Sequence, residues 1–141
     1  MLGTEPQIIE EYVNIGQVKI TFWPVIDFGS VSHDAQAAAY CIGMQSVDAF
    51  WQAHDQFFAN SSSLYDGRPY FVTVAADLGV DRATFEGCFD DNTGHLAVAQ
   101  LDTIRRDAGI TRRPTFDING LILFGSQPFE AFAQAIDSQL P

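Results

Sequence analysis

The chain has 141 residues, 47% of them apolar, with twelve phenylalanines and a formal charge of −11 at pH 7. That length fits one domain spanning 1–141, and the apolar fraction supplies a core, which excludes a disordered chain. The acidic balance excludes general affinity for nucleic acid or anionic membrane surfaces, and no apolar run reaches the ~20 residues of a membrane span.

The N-terminus, Met-Leu-Gly-Thr-Glu-Pro-Gln, has neither the basic start nor the apolar middle of a secretory signal, so the cytoplasm is expected for the chain as written. From Pro6 to Asn14, Ile8, Ile9, Tyr12 and Val13 form an apolar stripe opposite Glu10 and Glu11, which predicts a short helix ended by Gly16. Gln17 to Trp23 alternates, with Val18, Ile20 and Phe22 against Gln17, Lys19 and Thr21, and predicts a half-buried strand.

From Ser32 the period becomes helical, with Ala35, Ala38, Ala39 and Ile42 on one side, Ser32 or Asp34 as cap and Gly43 as the stop. Val47, Phe50, Trp51, His54, Phe57 and Phe58 follow at helical spacing and predict a second, aromatic-faced helix. Residues 60–69 read as a loop, and Tyr70 to Leu78 as a further helix or an apolar continuation of one. Asp81 is a cap for a helix through Phe89, and Asn92 or Thr93 for one ending near Ala108 with Leu96, Val98, Leu101 and Ile104 as its apolar side. Gly109 is the expected C-terminal residue of that helix.

Asn119-Gly120 separates Thr115–Ile118 from Leu121–Phe124, and a two-residue Asn-Gly loop supplies the positive φ angles of a type I′ turn, so a hairpin is predicted. Pro114 belongs at the start of the first strand or in a special turn, because it removes one ladder donor and fixes φ. Phe129, Phe132, Ala133, Ile136 and Leu140 mark one face of a terminal helix. Six of the seven basic residues are arginines, and Arg105, Arg106, Arg112 and Arg113 precede the proline. Two readings stand: a local basic patch, or arginines that complement a helix terminus and nearby carboxylates.

His33, His54 and His95 show no metal-ligand spacing, and His54 on an aromatic face reads as a hydrogen-bonded packing histidine. The sequence contains no nucleotide-binding glycine loop and no G-x-S-x-G, so neither a cofactor nor hydrolase chemistry is expected.

Taken in order, the helix of Thr4–Tyr12, Gly16–Ile20, the Ala37–Cys41 helix followed by Phe50-Trp51 and His54-Asp55, Phe85-Glu-Gly-Cys88, and Pro114-Thr-Phe with Asn119-Gly120 resemble the DsbA-like branch of the thioredoxin fold. The resemblance implies an α/β domain, a thioredoxin-like sheet interrupted by a helical insertion at about 31–108. It also implies that the first core strand and the start of the first core helix are missing from this sequence. In that family a C-x-x-C pair at the first core helix runs the dithiol cycle, with a lowered-pKa thiolate attacking and a second thiol resolving. This sequence holds only Cys41 and Cys88. The expectation is therefore a relative of thiol-disulfide oxidoreductases that is redox-inactive as given, so that whether it is an enzyme stays open. The alternatives are a non-catalytic peptide-binding or dimerisation module, or a truncated form of an active oxidoreductase with its C-x-x-C and signal upstream. The family is usually extracytoplasmic.

Pro114 is similar to the family's cis-proline, which presents the preceding residue's backbone to an extended peptide. Arg113, Pro114 and Thr115 are thus implied as the substrate-binding residues, with extended peptides or protein thiols as partners. The Arg at the presenting position and Asp117 in the following strand depart from the family pattern. The resemblance also suggests a disulfide between Cys41 and Cys88, for which chain entropy gives an upper figure of roughly 4 kcal/mol; in a reducing compartment the pair would be two buried thiols. A missing central strand leaves edges that need closing by direct pairing of the remaining strands, by a neighbouring copy or by exchange between two chains, and a homodimer or another strand-completing partner is expected.

Overall fold

The structure, a computed structural model, describes residues 3–141. Backbone proximity divides the chain into two units: one made of the residues up to Phe22 together with Ala108–Pro141, the other of Trp23–Asp107.

In the first unit, α1 (Glu5–Ile8) has Pro6 in its opening turn, where a missing N–H is harmless, and runs directly into a wider five-residue turn, Ile9–Val13. Ile8 and Tyr12 from this segment meet Phe132 and Ile136 of α7 (Phe129–Asp137) in a small core. The Tyr12 hydroxyl donates to Asp137 at 3.0 Å, which ties the first helical segment to the last helix. Burial pushes the Tyr12 phenol up, and the hydrogen bond to Asp137 adds to it.

The hairpin forms where the Asn-Gly signal places it. Strand β1 (Thr115–Ile118) pairs antiparallel with β2 (Leu121–Phe124), Ile118 opposite Leu121 and Thr115 opposite Phe124. Asn119 and Gly120 carry φ values of 50° and 95°, the positive angles of a primed turn. Phe116, Ile118 and Leu123 pack on the helix core, with Phe116 edge-on to Phe132 at 4.7 Å between ring centroids.

The strand expected at Gln17 to Trp23 does not form. Among the described residues the sheet has two strands, β1 and β2. The alternation nevertheless sets the faces as read: Val18 and Ile20 pack on the same core as Phe116, while Gln17, Lys19 and Thr21 are exposed. Periodicity decides which side chains are inward, but a strand also needs a ladder partner, and among the described residues the ladder is formed by β1 with β2.

The second unit is helical: α2 (Ser30–Gly43), α3 (Val47–Ala59), a 3₁₀ segment (Ser61–Asp66), α4 (Arg68–Asp77), α5 (Arg82–Asp90) and α6 (Thr93–Asp107). Buried Ala35, Ala37, Ala38 and Ala39 keep α2 thin enough for α3, α4, α5 and α6 all to pack against it. Its core adds Phe57, Phe71, Phe85, Phe89 and Val98; Phe71 sits 5.4 Å from Phe57 and 5.7 Å from Phe89, within the range where aromatic pairs add about 0.5–1.5 kcal/mol beyond area burial.

Ser46 caps α3 and Asp81 caps α5, each accepting from the amide three residues on. The expected Ser32 or Asp34 cap of α2 is not used. The helix starts at Ser30 behind Gly29 at φ 80°, Ser32 donates to the Val25 carbonyl, and Asp34 accepts from His95. The expected loop at residues 60–69 is mostly the 3₁₀ segment, whose Ser and Asp side chains suit a short helical turn as well as a loop.

Candidate functional site

The cluster that the sequence singles out, Arg113-Pro114-Thr115, enters β1 after the glycine-ended α6. Gly109 has φ 75°, as a helix-terminating glycine does, and the Arg113–Pro114 peptide is cis. The Thr115 hydroxyl donates to the Arg112 carbonyl at 2.7 Å, and the Gly125 amide donates to the Pro114 carbonyl at 2.9 Å, so the approach to the strand is tied at both sides. The Arg112 guanidinium lies 5.3 Å from the centroid of the Phe124 ring, a cation–π distance.

The register fixes which backbone groups face outward. Pro114, Phe116 and Ile118 turn their carbonyls toward β2, so the N–H and C=O of Thr115 and Asp117 lie on the opposite edge. On the sheet face away from the core, Ile122 and Phe124 are exposed at 40% and 47%. Asp117, which breaks the apolar pattern of the strand, acts locally: its carboxylate accepts from the Gly120 amide at 2.6 Å and closes the turn.

Cys41 and Cys88 are joined in a disulfide, with 5.8 Å between their Cα atoms and no free cysteine elsewhere. It links α2 to α5 within the helical unit. Gly94, one residue into α6, lies over it: a Cβ on Gly94 would stand 2.5 Å from the Cys41 sulfur and 3.0 Å from the Ala37 carbonyl oxygen. Helix α6 can approach α2 this closely only without a side chain there.

Of the four arginines before the proline, Arg105 and Arg106 are committed inside the helical unit. Arg105, 4% exposed, reaches Asp102 and Asp27, and Arg106 reaches the same two carboxylates. Burial pushes the Asp102 carboxyl up, but hydrogen bonds from Arg105, Arg106 and the Ile26 amide outweigh it and hold it below the ordinary aspartate value. Trp23 adds a bond from its indole N–H to the Leu101 carbonyl at 2.9 Å. These contacts pin residues 23–27 to α6, so Arg105 and Arg106 follow the reading in which nearby carboxylates absorb them. The buried stripe of α6 is accordingly Gly94, Val98, Asp102 and Arg105, and the expected Leu96 and Ile104 are instead exposed.

A second charged cluster joins α4 to α5. Arg68 grips Asp90 with two bonds of 2.6 Å and also reaches Glu86, which Arg82 holds too. Arg68 lowers the Asp90 carboxyl, and Arg82 followed by Arg68 lowers Glu86. The histidines, distant in sequence, partly converge: His33 and His95 rings lie 5.0 Å apart, His33 Nε2 is 2.9 Å from the His95 carbonyl, and His95 Nε2 is 2.9 Å from Asp34. His54 is buried beside Trp51 and Phe58 with Nδ1 3.0 Å from Asp55. Among the described residues no group of three or more His, Cys, Asp or Glu is placed to hold a metal ion, and no helix is long and apolar enough to cross a membrane.

An antiparallel hairpin entered through Pro114 and backed by a terminal helix, with a helical unit inserted in sequence between the two parts of that layer, defines a thioredoxin-like domain. The thioredoxin family's sequence model matches residues 2–138, and the chain belongs to that family. Among curated proteins it is 29% identical over 136 residues to the Na(+)/H(+) antiporter NhaA 1 of Salinispora arenicola (strain CNS-205), a match covering 94% of this chain and 20% of the antiporter. The chain thus spans about a fifth of that relative's length. No solved structure matches it.

Proposed function

We propose that this chain is a DsbA-like member of the thioredoxin family that works as a peptide-binding module, without running a dithiol cycle through its own two cysteines. The observation that carries this reading is the disposition of sulfur. Both cysteines are bonded to each other inside the helical unit, and neither starts a helix, where a dipole would stabilise a thiolate. What the chain retains is the receiving edge: Thr115 and Asp117 offer outward N–H and C=O groups, which is what an extended peptide adds to in β-augmentation. Arg113 and Pro114 precede that edge as the presenting residues.

The test is a titration of ¹⁵N-labelled protein with an extended, unfolded peptide. Shifts concentrated at the Thr115 and Asp117 amides support the reading. Shifts absent at millimolar peptide, or confined to the helical unit, overturn it.

A second reading concerns sheet completion. Among the described residues the smaller unit's core cluster rests on Ile8, Tyr12, Phe132 and Ile136, and a two-stranded hairpin is marginal alone. We propose that a second copy, or another segment supplying a strand, pairs with the open edge. Sedimentation showing a monomer at micromolar concentration removes the homodimer. The share of the antiporter covered favours a third reading, in which such a domain serves inside a longer polypeptide, and the sequence upstream of Met1 tests whether that polypeptide carries a C-x-x-C.

A further inference from the structure

The Cys41–Cys88 disulfide is asymmetric in access. Cys41 is 1% exposed, in the middle of the helical core, and Gly94 lies so close that a Cβ there would stand 2.5 Å from its sulfur. Cys88 is half-buried near the end of α5. Cys88 packs against the helical core on one side yet keeps part of its surface in solvent, whereas Cys41 keeps almost none. Thiol–disulfide exchange requires the attacking sulfur to reach one sulfur of the pair, and access selects which.

We infer that Cys88 is a site of S-thiolation: a low-molecular-weight thiol attacks Cys88 Sγ, and Cys41 is the leaving sulfur. The thiolate forms an S–S bond to Cys88 as the Cys41–Cys88 bond breaks. The electron pair of the broken bond goes to Cys41 Sγ, which takes a proton from solvent. A second molecule of the same thiol then attacks the adduct's outer sulfur, leaves Cys88 as a thiol, and departs as the small-molecule disulfide. The reductant is thus two thiols, supplying two electrons. Where the second step is slower, the Cys41 thiolate reforms the original bond. Cys41 lies two residues from the end of α2, at the negative pole of the helix, which disfavours its thiolate and keeps the exchange slow.

The charge of the body adds a preference. Glu86, Asp90 and Asp91 fall within three residues of Cys88 in sequence on an overall −11 chain, and Arg68 and Arg82 pair with Glu86 and Asp90. A cationic thiol is favoured over an anionic one at low ionic strength, and the difference shrinks as salt screens it.

The test uses the oxidised wild-type protein under native conditions, incubated with cysteamine or with 2-mercaptoethanesulfonate, quenched in acid and mapped by peptide mass. The expected result is an adduct on Cys88 in at least about tenfold excess over Cys41, formed faster with cysteamine, with circular dichroism unchanged. Adduct on Cys41, equal adduct on both, or no adduct until the protein unfolds overturns the inference. As a second measurement, native alkylation of Cys88 in Cys41→Ser should outrun that of Cys41 in Cys88→Ser by at least about tenfold, and equal rates in folded variants contradict it. None of these outcomes depends on peptide binding at β1, so this inference and the proposed function fail separately.

Discussion

Gly94→Ala sets two effects of opposite sign against each other. A helical alanine is favoured over glycine by about 1 kcal/mol in a helix interior, and less in the first turn, where Gly94 lies. Against that, the new Cβ would stand 2.5 Å from the Cys41 sulfur and 3.0 Å from the Ala37 carbonyl. The sulfur is fixed by its bond to Cys88 and the carbonyl by the α2 backbone, so neither can turn aside as a flexible side-chain end would. Overpacking of this kind costs about 1–3 kcal/mol, which exceeds the propensity gain. The net expectation is destabilisation of the oxidised helical unit by about 1–2 kcal/mol. Urea unfolding followed by far-ultraviolet circular dichroism reads this as a lowered midpoint. In a Cys41→Ala, Cys88→Ala background the sulfur is gone and only the carbonyl contact remains, so the cost of Gly94→Ala should fall by about 1 kcal/mol. A Gly94→Ala protein as stable as the parent, or an equal penalty in both backgrounds, refutes the assignment of Gly94 as the residue that admits α6 over the disulfide.

Asp102→Ala leaves Arg105 buried with Asp27 as its remaining named carboxylate, and should cost about 3 kcal/mol, the lower end for breaking a buried ion pair; a loss below about 1 kcal/mol in urea midpoint analysis would count against the network. Asp81, Glu86, Asp90, Asp91 and Asp102 are all held below their ordinary values, so their contribution is present above about pH 4, where unfolded carboxylates ionise, and is lost as pH falls through the lower folded values. Unfolding free energy should therefore drop between about pH 5 and about pH 2, and a flat profile over that range contradicts the pairing. Gly120→Ala forces a Cβ into a left-handed turn position at φ 95° and should cost about 1–2 kcal/mol, read as a loss of thermal stability in the hairpin's amide signals.

The hairpin is legible in the sequence because one dipeptide carries its turn chemistry, and the cap Asp81 because it sits directly before a helical period. Helix α6 is only half legible. Its core-facing stripe runs through Gly94, Asp102 and Arg105, and a pattern of apolar residues cannot see a glycine that admits a disulfide or a buried ion pair. The spacing of Asp102 to Arg105 and Arg106, three and four residues, is a signal for that pair. The segment after Gly16 misleads for the opposite reason. Its alternation is real and sets its faces, yet strand formation depends on a neighbour, which no local pattern encodes. The convergence of His33 with His95 likewise follows from α2 packing on α6 and not from the sequence around either residue. Of the proposed peptide-binding edge, the sequence indicates Pro114 and the register, while the role of Asp117 in closing its own turn emerges only from the fold.

The central claim is that a thioredoxin-family chain whose two cysteines are bonded to each other does not run a dithiol cycle. Reduction of insulin by dithiothreitol, followed as turbidity with the protein at catalytic concentration, tests it most directly. The account predicts a rate equal to that of dithiothreitol alone, and an acceleration that scales with protein concentration contradicts it.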